Sequence, residues 1–351
     1  MTKLSKFKAV AAAAGACAAL FAAVPANAYV YSVSQLQIQG LDINVFAHGT
    51  TNDVGAASNY SFNLKNLADY TPTGGATVNS AGSGACNGNV NPAAGPVYTT
   101  CGNPVTLNAN VANAPGLLSA RADNNFAIIG ANATQSFSNA DSQITSAKLV
   151  QGGTTNTIQI AESLLNVNGQ ASANTEVKST TTLLTSFVTG TTTDFVLSFQ
   201  ALLKLSGAIS DVLGGLYTSS AGSNVSISLS KNGTNQSWTW SPDGTGSAQP
   251  CQFTGGGIAG SVCSVTKNEG NLNVTDSRSG NPDSYNDSFL DFKNFGLMIS
   301  DLAAGTYSLS LQATTTTNVD RLHIPEPASL ALVGLALAGL GVAGKRRSRK
   351  Q

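Results

Sequence analysis

Charge and histidine are what this sequence has least of. Its 351 residues include 18 Lys+Arg and 18 Asp+Glu, 10% in all, and only two histidines. Most hydrolytic and proton-transfer sites are built from crowded titratable groups, and this chain offers little raw material for one. Tryptophan and methionine occur twice each. No glycine-rich phosphate loop precedes a helical stretch: Gly255, Gly256 and Gly257 are a bare triplet that reads as a turn. His48, with Asp42 or Asp53 and one of many serines, is the only material for a nucleophilic triad, and no Gly-x-Ser-x-Gly elbow accompanies it. His323 stands two residues before Pro325, in a position unsuited to catalysis. No catalytic residue is assigned, and the chain is not read as an enzyme.

Hydrophobic runs are confined to the two ends. Lys3, Lys6 and Lys8 precede an apolar, alanine-rich stretch from Ala9 to Val24, and Ala26 and Ala28 then stand at the −3 and −1 positions of a cleavage site. Residues 1–28 read as a signal peptide, cleaved by signal peptidase after passage through the Sec translocon, with Tyr29 as the mature N-terminus. A lipoprotein reading through Cys17 is weaker, because Ala14, Gly15 and Ala16 before it lack a branched apolar residue. At the other end, 328–344 is an uncharged run followed by Lys345, Arg346, Arg347, Arg349 and Lys350. Seventeen helical residues reach about 25 Å, near the lower limit for a bilayer of about 30 Å. The basic end keeps the tail cytoplasmic and the body on the far side of the membrane.

Pro325, Glu326 and Pro327 stand at the entrance to this helix, followed by Ala328 and Ser329. With the leader, the short Leu/Ala/Gly helix and the basic end, this segment resembles the PEP-CTERM sorting signal of Gram-negative bacteria. The resemblance covers residues 325–351 and is silent about the rest of the chain. It implies recognition by the membrane protease-transpeptidase exosortase, removal of the helix near the motif, and final release or attachment at the cell surface. Such proteins accompany extracellular polysaccharide and biofilm, which makes polysaccharide the expected extracellular partner.

The formal net charge of zero hides an acidic body. Eight of the 18 basic residues lie in the two ends, while all 18 acids lie between Asp42 and Glu326, so residues 29–327 carry about −8. This argues against nucleic acid as a partner. Four cysteines remain beyond the leader, an even number that favours disulfides in an exported chain. Proximity favours Cys86–Cys101 and Cys251–Cys263, each closing a loop worth roughly 3 kcal/mol in the chain-entropy model. Neither spacing fits a zinc knuckle.

The body, 29–313, reads as all-β. Phe195, Leu197, Phe199, Ala201, Leu203 and Leu205 alternate with Ser198, Gln200 and Lys204, the period of a strand buried on one face. Tyr60/Phe62/Leu64, Val225/Ile227/Leu229 and Tyr307/Leu309/Leu311 repeat the pattern, and the apolar parity switches across Gly40, which predicts a bulge or bend. Ten or more short strands suggest a β-sandwich or jelly roll, as one large or two small units. Residues 71–103 read as a loop insertion, and the threonine-rich 314–324 as a stalk before the sorting segment. Thr180–Thr182, Thr191–Thr193 and Thr314–Thr317 are candidates for O-glycosylation.

Two weaker signals concern ligands. Trp238 and Trp240 share one face of a strand and are either core residues or a platform for sugar rings. Asp276, Asp283, Asp287 and Asp291 lie in an oxygen-rich stretch of the kind that holds Ca²⁺, although Arg278 sits among them and no EF-hand spacing is present. Asp283, Asp287 and Asp291 are the Ca²⁺ candidates, and no other cofactor is expected. The seven Asn-x-Ser/Thr sequons, such as Asn59 and Asn286, follow from composition alone. The expected role is a structural or adhesive, glycan-binding surface protein. The alternative is a secreted hydrolase of matrix polysaccharide, which needs only two carboxylates brought together by the fold.

Overall fold

A computed structural model describes residues 28–54, 56–72, 76–91, 95–97, 105–113, 124–133, 136–146, 154–167, 173–210, 216–246 and 251–322. The expected signal peptide up to Asn27 and the expected transmembrane helix 328–344 lie outside them. Among the described residues no helix is long and apolar enough to cross a membrane.

The strands are β1 Ala28–Ala47, β2 Ala56–Pro72, β3 Val78–Asn91, β4 Gly95–Val97, β5 Val105–Asn113, β6 Phe137–Ser146, β7 Thr155–Val167, β8 Ala173–Thr189 and β9 Thr193–Ile209. They continue with β10 Leu216–Lys231, β11 Ser237–Trp240, β12 Gln252–Thr254, β13 Val262–Asn268, β14 Val274–Ser279, β15 Asp283–Asn286, β16 Lys293–Leu302 and β17 Gly305–Leu322. They form two antiparallel sheets. One runs β13-β16-β9-β1-β7-β6-β5, with β15 also on β9; the other runs β12-β11-β10-β17-β8-β2-β3-β4, with β14 also on β10. The first strand lies between β7 and β9, and the last lies between β10 and β8. Because the chain ends meet the middle of each sheet, the body is one sandwich rather than two.

Period-two alternation builds the inner faces. In β9 the residues from Phe195 to Leu205 on the expected parity are buried, while Gln200 and Lys204 face solvent. Around Gly40, at φ 63°, the register of β1 shifts against both of its neighbours. That bulge lets Leu36 and Ile38 on one side and Leu41 and Ile43 on the other all point inward. Aromatic rings pack across the gap: Phe187 of one sheet stacks on Phe195 of the other at 5.7 Å.

The other half of the interior is lined by small polar residues. Ser32 Oγ donates to the Ser220 carbonyl at 2.6 Å, and Ser219 Oγ donates back to the Tyr31 carbonyl at 2.6 Å. Ser34 Oγ reaches the Gly222 carbonyl at 2.8 Å. Ser163 meets Thr317 at 2.7 Å, and Thr181 donates to Gln159 at 2.8 Å. Each bond crosses between the sheets, and each contributes roughly 0.5–1.5 kcal/mol net. Towards the β3 and β5 edges the approach is close enough to require glycine, since a Cβ at Gly82 would stand 2.3 Å from the Asn110 carbonyl oxygen.

Two segments differ from the expected boundaries. Residues 314–322, read as stalk, are the second half of β17, and Thr315 and Thr317 are buried in the seam. Most of 71–103, read as a loop insertion, is the end of β2 followed by β3 and β4, whose glycines serve close sheet contact rather than turns. Cys251 and Cys263 are bonded, with Cα atoms 5.6 Å apart, and join the β12 edge of one sheet to the β13 edge of the other. Cys86 is buried and disulfide-bonded; its expected partner Cys101 lies outside the described residues.

The two ends of the body leave the sandwich together. Ala28 pairs with Val167 and Leu322 with Leu216, and Val30, Tyr217 and Val319 share one apolar cluster at that end. The turn after Ala47 lies at the opposite end, where the His48 amide bonds the Thr192 carbonyl at 3.2 Å.

Substituting Gly82→Ala tests the close approach. Its new methyl faces backbone, so the substitution should destabilise by about 1–3 kcal/mol. Gly190→Ala, which meets nothing within 4 Å, should stay within about 0.5 kcal/mol. Denaturant unfolding of both variants checks the contrast.

Candidate functional site

On the outer face of the nine-stranded sheet, register brings uncharged side chains into rows across the strands. Ser228, Ser310, Leu184, Ser61 and Asn87 stand opposite one another on β10, β17, β8, β2 and β3. Ser230, Ser308, Ser186 and Asn59 make the next row. Together they line a groove of about 530 Å³ with no charged residue in its walls. Leu184, 47% exposed, provides an apolar patch in its floor. The Ser308 hydroxyl donates to Asn232 Oδ1 at 2.8 Å, which fixes one wall against the β10–β11 turn. Sequence reading missed this site because its serines and asparagines look like filler between apolar core positions. The signal present in the sequence was the polar parity of several strands at once.

Trp238 and Trp240 do share a face of β11, but that face is inward. Trp240 is 5% exposed and packs against Phe199, with ring centroids 6.3 Å apart. Trp238 is half-buried, donates its indole N–H to Ser261 Oγ at 2.9 Å, and meets Phe253 edge-on. A platform of two exposed indoles is therefore not formed, because the core claims one of them. Phe253, 60% exposed beside Trp238, is the aromatic that reaches solvent here.

The acidic stretch closes around an arginine. Arg278 pairs with Asp276, and with Asp283 at 3.2 Å, and lies over the Tyr285 ring at 5.5 Å. Tyr285 itself plugs the space between the sheets, with its hydroxyl 3.1 Å from Ser32 Oγ and 3.2 Å from Ser219 Oγ. Burial raises the Asp287 pKa, and the neighbouring Asp276 charge and hydrogen bond raise it further. Asp283, Asp287 and Asp291 are not gathered as ion ligands: among the described residues no three His, Cys, Asp or Glu side chains are grouped to hold a metal. The cation in this cluster is the guanidinium.

His48 finds neither Asp42 nor Asp53. Its Nδ1 lies 3.0 Å from Asp194 Oδ1 and 3.4 Å from Asp301 Oδ1, partners more than 140 residues away in sequence. The hydrogen bond to Asp194 raises the His48 pKa above 6.5, followed by the charges of Asp194 and Asp301. Burial opposes ionisation of Asp194, but bonds from His48 and from the amides of Asp301 and Gly49 together hold its carboxyl below the ordinary value. Among the described residues no serine or threonine hydroxyl is bonded to the other ring nitrogen, so the arrangement is an ion cluster at the end remote from Leu322. Tyr29 is the second residue of β1, its amide donating to Ser210 Oγ at 2.8 Å. Ala26, Pro325, Glu326 and Pro327 lie outside the described residues.

Because the folded-state pKa of His48 is raised, its ion pairing stabilises fully below the unfolded value near 6.5 and is lost as pH rises through the folded value. Thermal unfolding should show a His48→Gln deficit in Tm at pH 5.5 that shrinks across this window. In NMR titrations, Asp301→Asn should lower the His48 midpoint.

No curated protein and no solved structure matches the chain. A family model, that of the PEP-CTERM protein-sorting motif, matches residues 323–348. The match begins directly after β17 and takes in Pro325, Glu326 and Pro327. The chain thus carries a PEP-CTERM sorting motif at 323–348, which implies export, membrane-anchored sorting and exosortase as the processing partner.

Proposed function

We propose that this is an exported surface protein, cut by exosortase at its C-terminal segment, whose sandwich serves a structural and adhesive role in extracellular polysaccharide rather than a catalytic one. The sorting motif carries the first half of this reading. The common exit of Ala28 and Leu322 supports it, because one end of the sandwich can face the membrane while both flanks are still attached. Residues 323–327 span at most about 17 Å even when extended, so the body stands close to the bilayer before processing. The product keeps all of β17 and needs no further folding step after the cut.

The adhesive half rests on the breadth of uncharged hydroxyl and amide side chains on the outer face of the nine-stranded sheet. Such groups both donate and accept hydrogen bonds and are held on rigid strands. The net charge of about −8 on residues 29–327 favours neutral over anionic polymers.

Mass spectrometry of the protein from an exosortase-positive host tests the sorting. The mature chain should begin at Tyr29 and end close to Pro327, while an exosortase-negative host should retain 328–351. Peptides from 328–344 in the surface fraction of the positive host would replace sorting with a permanent anchor.

A further inference from the structure

We propose that the groove on the outer face of the nine-stranded sheet binds a neutral polysaccharide chain laid across strands β10, β17, β8, β2 and β3. This rests on the adhesive reading above and names its site. The groove, about 530 Å³, falls within the size range of ligand sites. Neighbouring strands are about 4.8 Å apart, so the row from Ser228 to Asn87 is about 19 Å long, room for a short run of sugar units.

The lining decides the class of occupant. Serine hydroxyls and asparagine amides both donate and accept, as a polyhydroxylated chain requires, with Ser308 and Ser230 also bonded within the walls to Asn232 and the Ser308 carbonyl. Leu184 offers an apolar spot against which the C–H face of a sugar ring can rest. The absence of charge in the walls leaves nothing to hold a phosphate, a uronate or a cationic peptide. An amphipathic helix needs a continuous apolar groove, which one exposed leucine does not make. An added peptide strand needs an open edge, and β10, β17, β8 and β2 each have partners on both sides.

Location fits the same occupant. Ser310 precedes Leu322 by twelve residues of continuous strand, so the groove lies about 40 Å from the end where the sorting segment begins. A polymer can therefore be engaged while the body is still tethered, without meeting the membrane.

Affinity electrophoresis of the full chain in non-ionic detergent tests the proposal, with hydroxyethyl cellulose, laminarin or dextran in the gel and alginate as the anionic comparison. At least one neutral polymer should retard the protein, insensitively to salt, and alginate should not. The double variant Ser186→Ile/Ser310→Ile replaces two groove hydroxyls with branched hydrocarbon and should weaken that retardation at least tenfold. Gln200→Ile on the other sheet's outer face should leave it unchanged. Unfolding curves matching the parent would show that both variants are folded. Leu184→Asp is a second groove variant should the double variant not fold. The idea fails if no neutral polymer retards the chain, if folded groove variants bind like the parent, or if binding is confined to alginate and abolished by salt. Processing of the double variant in the exosortase-positive host separates this failure from that of sorting, since C-terminal cleavage does not depend on the groove.

Discussion

Where β1 faces β10, the sheets exchange hydrogen bonds in both directions, Ser32 to the Ser220 carbonyl and Ser219 to the Tyr31 carbonyl. A side-chain hydroxyl can reach the backbone of the opposing sheet only if both inner faces are lined by very small residues. That requirement governs half of the interior. It explains the buried Ser34, Ser163, Ser179, Thr315 and Thr317, and the glycines of β3 whose absent side chains leave room for β5. It also explains how a chain with modest aromatic content closes so broad a sandwich. Hydrocarbon packing drives the half around Phe195, Phe187 and Tyr307, and the hydroxyl bonds of Ser32, Ser34, Ser163, Thr181 and Ser219 tie the sheets together in the other half. The hydroxyls of Ser179, Ser223 and Thr315 are buried in the same seam without a hydrogen-bond partner among the described residues, a cost it carries beside its bonded pairs.

This same seam marks the limit of what could be read from sequence. Large apolar residues at alternate positions announce a buried face, and β9 was legible residue by residue. Gly40 was legible too, because a strand whose apolar parity switches can keep one face buried only by bulging at the switch. Thr314–Thr317 was not: a threonine run has the same composition in a solvated stalk and in a buried hydroxyl seam. The difference lies in what faces it, here Ser163 on β7. The stretch Val78–Asn91 misled for the related reason that glycine usually signals a turn, whereas at Gly82 it signals contact.

Sites assembled from distant strands were hidden for a different reason. Asp194 is 146 residues from His48, and only the pairing of β1 with β9 brings them together. Asp42 and Asp53 were nearer in sequence, but Asp42 lies four residues further along the β1–β9 ladder, opposite Ser198, and Asp53 bridges Phe46 across the turn. The tryptophans show the converse limit, since one strand read alone left core and platform both open. Which side of the sheet their shared face meets depends on β9, whose Phe199 packs against Trp240 and stacks on Phe295 of β16.

The architecture also divides labour along its length. One end gathers the first residues of β1 and the last of β17, so both flanks of the body leave from there. The serine-lined groove and the His48 cluster lie towards the other end, where short turns impose no sorting constraint. β17 joins the two regions: its first residues wall the groove, its middle supplies the hydroxyl seam, and its last residue abuts the sorting motif. A central strand fixed by two neighbours over its whole length is a stiff connection. Its two neighbours hold β17 from the groove to Arg321, just before the sorting-motif match begins. Shortening β17 to make a stalk would sacrifice that stiffness, which gives a physical reason for the sheet to extend to the edge of the sorting segment.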